Sequence, residues 1–143
     1  MRRRLPSLAS LALLAVATCG AAPPKVVQAV APIYPQFARV AHIQGVVVVA
    51  VEIGPDGKVS NAKTTSGPSL LREACLATAR KWRFVPSSKR SRTVDLKFEF
   101  TVDDTLGIDS PPQISFPSPY SVAIRVAPAV LNASIDTLRN PKS

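Results

Sequence analysis

Gly45-Val46-Val47-Val48-Val49-Ala50-Val51-Glu52-Ile53 runs straight into Gly54-Pro55-Asp56-Gly57. Side chains branched at Cβ crowd a helix but suit a pleated, half- or fully buried surface, so residues 46–53 are read as a strand. Pro55 presets φ for the first turn position, and Asp56-Gly57 supplies the left-handed backbone that a tight hairpin needs. Residues 58–65 return as the second strand and end at Ser66-Gly67-Pro68.

Three further elements follow from spacing. Leu71, Cys75, Thr78 and Trp82 recur at intervals of four, three and four, with Leu70, Ala74 and Ala79 widening the same stripe. Arg72, Glu73, Arg80, Lys81 and Arg83 fall mainly off it, so residues 69–84 are read as an amphipathic helix. Ser69 or Gly67 is expected to cap its start, and the basic residues near its end suit the C-terminal partial charge. Cys75, Trp82 and Phe84 are expected in the core. Residues 93–102 alternate, with Val94, Leu96, Phe98, Phe100 and Val102 on one side and Asp95, Lys97, Glu99 and Thr101 on the other. Period two over that length is a strand with one wet face, and a one-residue slip would expose both phenylalanines. Upstream, Tyr34-Pro35 opens a short helix over residues 35–43, closed by Gly45. The order α, β, β, α, β predicts a small α+β domain over residues 32–103. Its three-stranded antiparallel sheet has one face covered by the second helix.

Composition narrows the chemistry. The 143 residues suit one domain, and 46% hydrophobic with 19% charged residues excludes a disordered chain. Eighteen Lys+Arg stand against nine Asp+Glu, but Arg2, Arg3 and Arg4 are among the eighteen. That balance favours acidic surfaces without the density of a nucleic-acid binder, so no nucleic-acid partner is expected. Two cysteines and one histidine are too few for a structural zinc site or a disulfide framework, and neither a metal nor a cofactor is expected. The six glycines are scattered without forming a phosphate loop, and His42 has no nucleophile or carboxylate at motif spacing. No enzymatic activity is expected.

Arg2-Arg3-Arg4 precedes residues 5–22, which carry no charge. A positive start, an apolar core and the small-residue exit Cys19-Gly20-Ala21-Ala22 make residues 1–22 a secretory signal peptide by pattern. Two alternatives stay open. The uncharged stretch reaches the roughly 18 residues of a membrane anchor. Val16-Ala17-Thr18-Cys19 resembles a lipobox, which would make Cys19 a lipid-attachment site. Each gives an exported chain, the last two with membrane association through the N terminus. Residues 23–31 then read as a short linker, and Cys75 as a buried thiol.

Several motifs stand together in one run. They are Tyr34-Pro35, Gly45-Val46-Val47-Val48-Val49, Asp56-Gly57-Lys58-Val59, Ser66-Gly67, Leu70-Leu71-Arg72-Glu73-Ala74-Cys75-Leu76 and Trp82-Arg83-Phe84-Val85-Pro86. In order and spacing the run resembles the TonB C-terminal domain, over about half the chain. The resemblance implies a periplasmic binding module linked to TonB-dependent transport, one that grips an extended segment of an envelope protein such as an outer-membrane TonB-dependent receptor. It also implies partner contacts around the Tyr-Pro motif, here Ile33, Tyr34 and Pro35. The polar residues usual before that motif are replaced by Ala31, Pro32 and Ile33. The chain departs from a full energy transducer in two ways. Its one histidine is His42, so no motor-coupling histidine precedes the domain, and its linker, at most residues 21–31, spans roughly 40 Å at full extension. It therefore reads as a stand-alone version.

An unpaired sheet edge is a template for a foreign strand. With residues 93–102 at such an edge, Val94, Leu96, Phe98 and Phe100 would line the peptide site. Four or five added backbone bonds, at about 0.5–1.5 kcal/mol each, would give a weak and reversible grip. The same edge would admit a dimer. The run Arg80, Lys81, Arg83, Lys89, Arg90 and Arg92 supports a second reading, a module that binds peptidoglycan, anionic lipid or lipopolysaccharide.

Residues 104–143 lie outside the resemblance and hold six of the fourteen prolines. Residues 110–119 read as an extended linker. Tyr120-Ser121-Val122-Ala123-Ile124-Arg125-Val126-Ala127 reads as one further strand, expected to pair with the sheet edge and occlude the partner site.

Overall fold

The structure, a computed structural model, describes residues 23–88 and 92–130. The signal segment 1–22 with Cys19, and Lys89 and Arg90 of the basic run, lie outside the described residues. In chain order the elements are β1 (Val26–Gln28), α1 (Gln36–Val40), β2 (Gly45–Ile53), β3 (Val59–Ser66), α2 (Ser69–Ala79), β4 (Arg83–Phe84), β5 (Arg92–Val102), β6 (Gln113–Ser118) and β7 (Ser121–Val126).

The hairpin forms as its turn residues dictate. Gly54 N donates to Lys58 O at 2.9 Å, Gly57 N to Gly54 O at 3.0 Å, and Lys58 N to the Asp56 carboxylate at 3.1 Å. Gly57 takes φ 82°, and a Cβ there would lie 2.0 Å from the carbonyl oxygen of Phe84. No side chain larger than hydrogen fits that position.

Leu71, Cys75, Thr78 and Ala79 are the buried stripe of α2, packed on β2 and β3. The helix ends at Ala79 rather than Phe84. Lys81 N and Trp82 N turn back to Thr78 O and Ala79 O, and the chain straightens into β4. Trp82 is nevertheless fully buried, because its indole N–H donates to Val30 O at 2.9 Å and its ring meets Phe98 edge-on at 6.2 Å. A tertiary contact, not the helical period, places it. Pro68 occupies the N-cap position, and the expected cap from Ser69 is absent because no side chain makes a capping bond. The first helix is also shorter than its sequence spacing predicts. It ends at Val40, and His42 at φ 51° turns the chain before Gly45 begins β2.

The α+β class holds, but the main sheet has five strands, in the order β3-β2-β5-β7-β6, beside a separate two-stranded sheet β1-β4. The expected antiparallel trio β3-β2-β5 is intact within it. The added strands come from the proline-rich tail. β7 runs parallel to β5, from Lys97 opposite Ser121 to Val102 opposite Val126, and β6 pairs antiparallel outside β7. The stretch read as a linker over 110–119 therefore contains β6. Pro117 is tolerated there because β6 is an outer strand and its register shifts between Ser115 and Ser118. Likewise the stretch read as a linker over 23–31 contains β1, and its Val30 carbonyl receives Trp82.

The core lies on one face of the large sheet. Val47, Val49, Val51 and Ile53 of β2, Leu96, Phe98 and Phe100 of β5, and Val122, Ile124 and Val126 of β7 all point into it. At about 1.5–3 kcal/mol per fully buried aliphatic side chain, the β7 trio ranks with β2 as a source of stability.

Candidate binding edge and its groove

Strand addition requires an open edge, and β5 does not supply the one expected. Its position is central, with β2 along one flank and β7 along residues 97–102 of the other. Residues 92–96 alone lack a ladder partner on the β7 side among the described residues. Leu96, Phe98 and Phe100 are core side chains with at most 1% exposure, and Val94 is half-buried against them. The sequence showed an amphipathic strand correctly, but amphipathicity says nothing about which flank is paired.

β7 is built in firmly. Lys97 N donates to Tyr120 O at 2.8 Å, Asp103 N to Val126 O at 2.8 Å, and both Nε and Nη2 of Arg39 donate to Ala127 O. Arg125 pairs with Asp103 at 3.5 Å, and bonds from Thr105 hold the Asp103 carboxyl below its ordinary pKa. The tail strand does cover the β5 flank, as expected, but as a core strand rather than a detachable cover.

Tyr34 is likewise a structural residue. It is 5% exposed, its hydroxyl donates to Ile43 O at 2.5 Å, and its ring meets Phe100 edge-on at 5.0 Å. Burial pushes its hydroxyl pKa up to about 12. Pro35 is half-buried, whereas Ile33 is 86% exposed. Burial also raises the Cys75 thiol to about 12, so it remains protonated and unreactive at neutral pH.

Among the described residues the five-stranded sheet ends in two outer strands, β3 and β6. β3 is polar, and Lys63 projects from it into solvent. β6 differs in kind: every residue is exposed, none from 110 to 120 is charged, and Ile114 and Phe116 stand 48% and 52% exposed. Ile114 pairs with Ile124, a core residue, so Ile114 lies on the core side of the sheet but beyond the helices that cover it. There it faces the chain before α1. Ile114, Ile124 and Val126 line a hollow with Pro32, Ile33 and Tyr34, of about 160 Å³. Further along, Phe116 of β6 and Tyr120 of the turn before β7 line a larger groove of about 810 Å³ against Pro24, Val26 and Ala29. Tyr120 OH donates to Pro24 O across its floor. Ile33 and the outer strand are thus neighbours. Nothing in the sequence announced this, because residues 110–119 look like linker and the two segments are eighty residues apart.

Comparison with known proteins now bears on this arrangement. The family model described as the Gram-negative bacterial TonB protein C-terminal matches residues 30–103, just over half the chain. The chain belongs to the TonB C-terminal family. A search of curated proteins finds no match. Among solved structures, the solution NMR structure of the Pseudomonas aeruginosa TonB C-terminal domain is similar at 25% identity and TM-score 0.48, covering 59% of this chain and 92% of that one. Membership makes this chain a TonB-like module linked to TonB-dependent transport. β6 and β7 lie beyond the matched residues, so the flank of β5 that the family segment leaves at its end is here filled by an appended hairpin. Among the described residues no helix is long and apolar enough to cross a membrane, and no group of three or more His, Cys, Asp or Glu side chains is placed to hold a metal.

Proposed function

We infer that this TonB-family module binds an extended segment of an envelope protein, such as an outer-membrane TonB-dependent receptor, by strand addition to the outer edge of β6. The observation that carries this reading is the uncharged, exposed β6 edge beside the Ile33–Ile114 hollow. Sheet edges that must stay unpaired usually carry charge, as Lys63 does on β3, and β6 carries none. Pro117 lacks a donor, which confines the added ladder mainly to residues 113–116. A few backbone bonds at about 0.5–1.5 kcal/mol each give a grip weak enough to release. Alternate side chains of the bound segment would lie over Ile114 and Ile33, so an apolar residue at every second position is the recognition element.

Photo-crosslinking tests the location. A crosslinking residue replacing Phe116 in the exported chain should capture an outer-membrane transporter through a periplasmic segment, and Ile114→Glu should abolish the adduct. Capture only from position 65 on β3, or no loss with Ile114→Glu in a folded chain, would overturn the β6 assignment.

A further inference from the structure

We propose that the basic pole built around the β1–β4 sheet is a docking surface for an anionic lipid bilayer. Four segments meet there. Val85 N donates to Lys25 O at 2.9 Å, Lys58 bridges to Arg83, and Arg92 Nη2 donates to Val85 O at 2.9 Å. Arg80 and Lys81 leave α2 immediately before β4, so six cationic residues, Lys25, Lys58, Arg80, Lys81, Arg83 and Arg92, gather at one pole. None of the six is in an ion pair among the described residues. Asp56 is the carboxylate carried on these segments, and its Oδ1 already accepts from Lys58 N. Glu52 and Asp95 project from the open face of the sheet instead. Unpaired positive charge in this density attracts a negative surface.

Charge by itself would suit any polyanion. Two aliphatic side chains in the same sheet favour a bilayer: Val27 is 66% exposed and Val85 42% exposed, on strands or strand ends that pair with each other. A surface that combines basic residues with exposed aliphatic groups matches the headgroup–acyl boundary, where both contribute. In sequence, Lys25 of the pole follows the uncharged residues 5–22 after only Pro23 and Pro24. An N-terminal segment held at a membrane would deliver this pole to the headgroups first. The surface does not depend on the β6 reading.

Vesicle flotation of the full chain tests it. Vesicles of mixed phosphatidylglycerol and phosphatidylcholine should bind the chain more tightly than phosphatidylcholine alone, and the difference should collapse as salt rises. The combined variant Lys25→Gln, Lys58→Gln, Arg80→Gln, Lys81→Gln should lose about six hundredfold in that preference, since each cation near such a surface contributes about fivefold. Single variants Lys58→Gln and Arg80→Gln, about fivefold each, decide the matter if the combined variant misfolds. Val27→Ser with Val85→Ser should weaken vesicle binding and leave heparin binding unchanged. Equal binding to both vesicle types, or a folded charge variant that keeps the preference, would overturn the proposal. Vesicle binding indifferent to the valine variant, with heparin bound as tightly, would assign the pole to soluble polyanions instead. Ile114→Glu should change none of these readouts, which separates this surface from the β6 edge.

Discussion

Phe98 of β5 and Val122 of β7 stand opposite each other in a parallel ladder, and neither has more than 1% of its surface exposed. That pair joins the family-matched segment to the appended hairpin. A cover that opens for a partner must separate it, together with Phe100 from Ile124 and Val102 from Val126. Exposing Val122, Ile124 and Val126 costs about 1.5–3 kcal/mol each, a sum comparable with the stability of a whole small domain. A chain ending at Asp103 should therefore lose about 5 kcal/mol or more and should not bind partner segments more tightly. Chemical denaturation and peptide titration of the truncated chain check this; a stable, tighter-binding truncation would restore the hairpin to the role of a gate. Ile124→Ala in the full chain should cost about 2–5 kcal/mol by the same assay.

Gly57 anchors the hairpin to β4. At φ 82° its hydrogen faces the Phe84 carbonyl, and Phe84 N donates to Gly57 O at 2.8 Å. Gly57→Ala places a methyl 2.0 Å from backbone oxygen, where no side-chain rotation relieves the overlap. The expected loss exceeds about 2 kcal/mol, because backbone strain and displacement of β4 add together. Urea denaturation reads it, and Lys58→Ala in the same turn serves as the neutral comparison.

How much was legible follows from which signals are local. The β2–β3 hairpin and the alternating β5 are written in residue order, since turn chemistry and period two act between neighbours. The partner of an edge is not local. Residues 121–126 show a strand pattern, but whether Val122 lies beside Phe98 depends on a loop crossing that no spacing encodes. Pro111, Pro112, Pro117 and Pro119 disguise β6, because proline opposes a central strand yet is tolerated on an outer one. Trp82 falls on the helical stripe and reads as core, but Val30 holds it, beyond the helix end. The Ile33–Ile114 hollow was invisible for the same reason as the edge itself.

His42 and Asp104 form an exposed pair, Nε2 to Oδ1 at 3.1 Å, which ties the turn after α1 to the turn after β5. The hydrogen bond with Asp104 raises the His42 pKa above 6.5, with smaller help from the Val40 carbonyl. A raised native pKa means the pair stabilises the folded chain fully below the unfolded value and loses that contribution as pH rises through the native one. NMR titration of the imidazole should give a midpoint above 6.5 that falls in Asp104→Asn and with added salt. An unchanged midpoint in the variant would mean the pair does not form in solution.

Ile33 and Tyr34 are adjacent in sequence and opposite in role, which makes them a test of the β6 site. Tyr34→Phe keeps the ring on Phe100 but leaves the Ile43 carbonyl without its donor, so it should cost about 1–2 kcal/mol of stability and leave partner affinity unchanged. Ile33→Glu alters a side chain that is already 86% exposed, so stability should stay within about 0.5 kcal/mol. It should instead weaken binding of an apolar extended segment at least tenfold, because a charge would then line the hollow beside Ile114. Calorimetric titration and thermal melting of the two variants separate these effects. If Tyr34→Phe impaired binding while Ile33→Glu did not, the partner would have to enter from the covered side of the Tyr-Pro segment, and the outer strand would no longer be its seat.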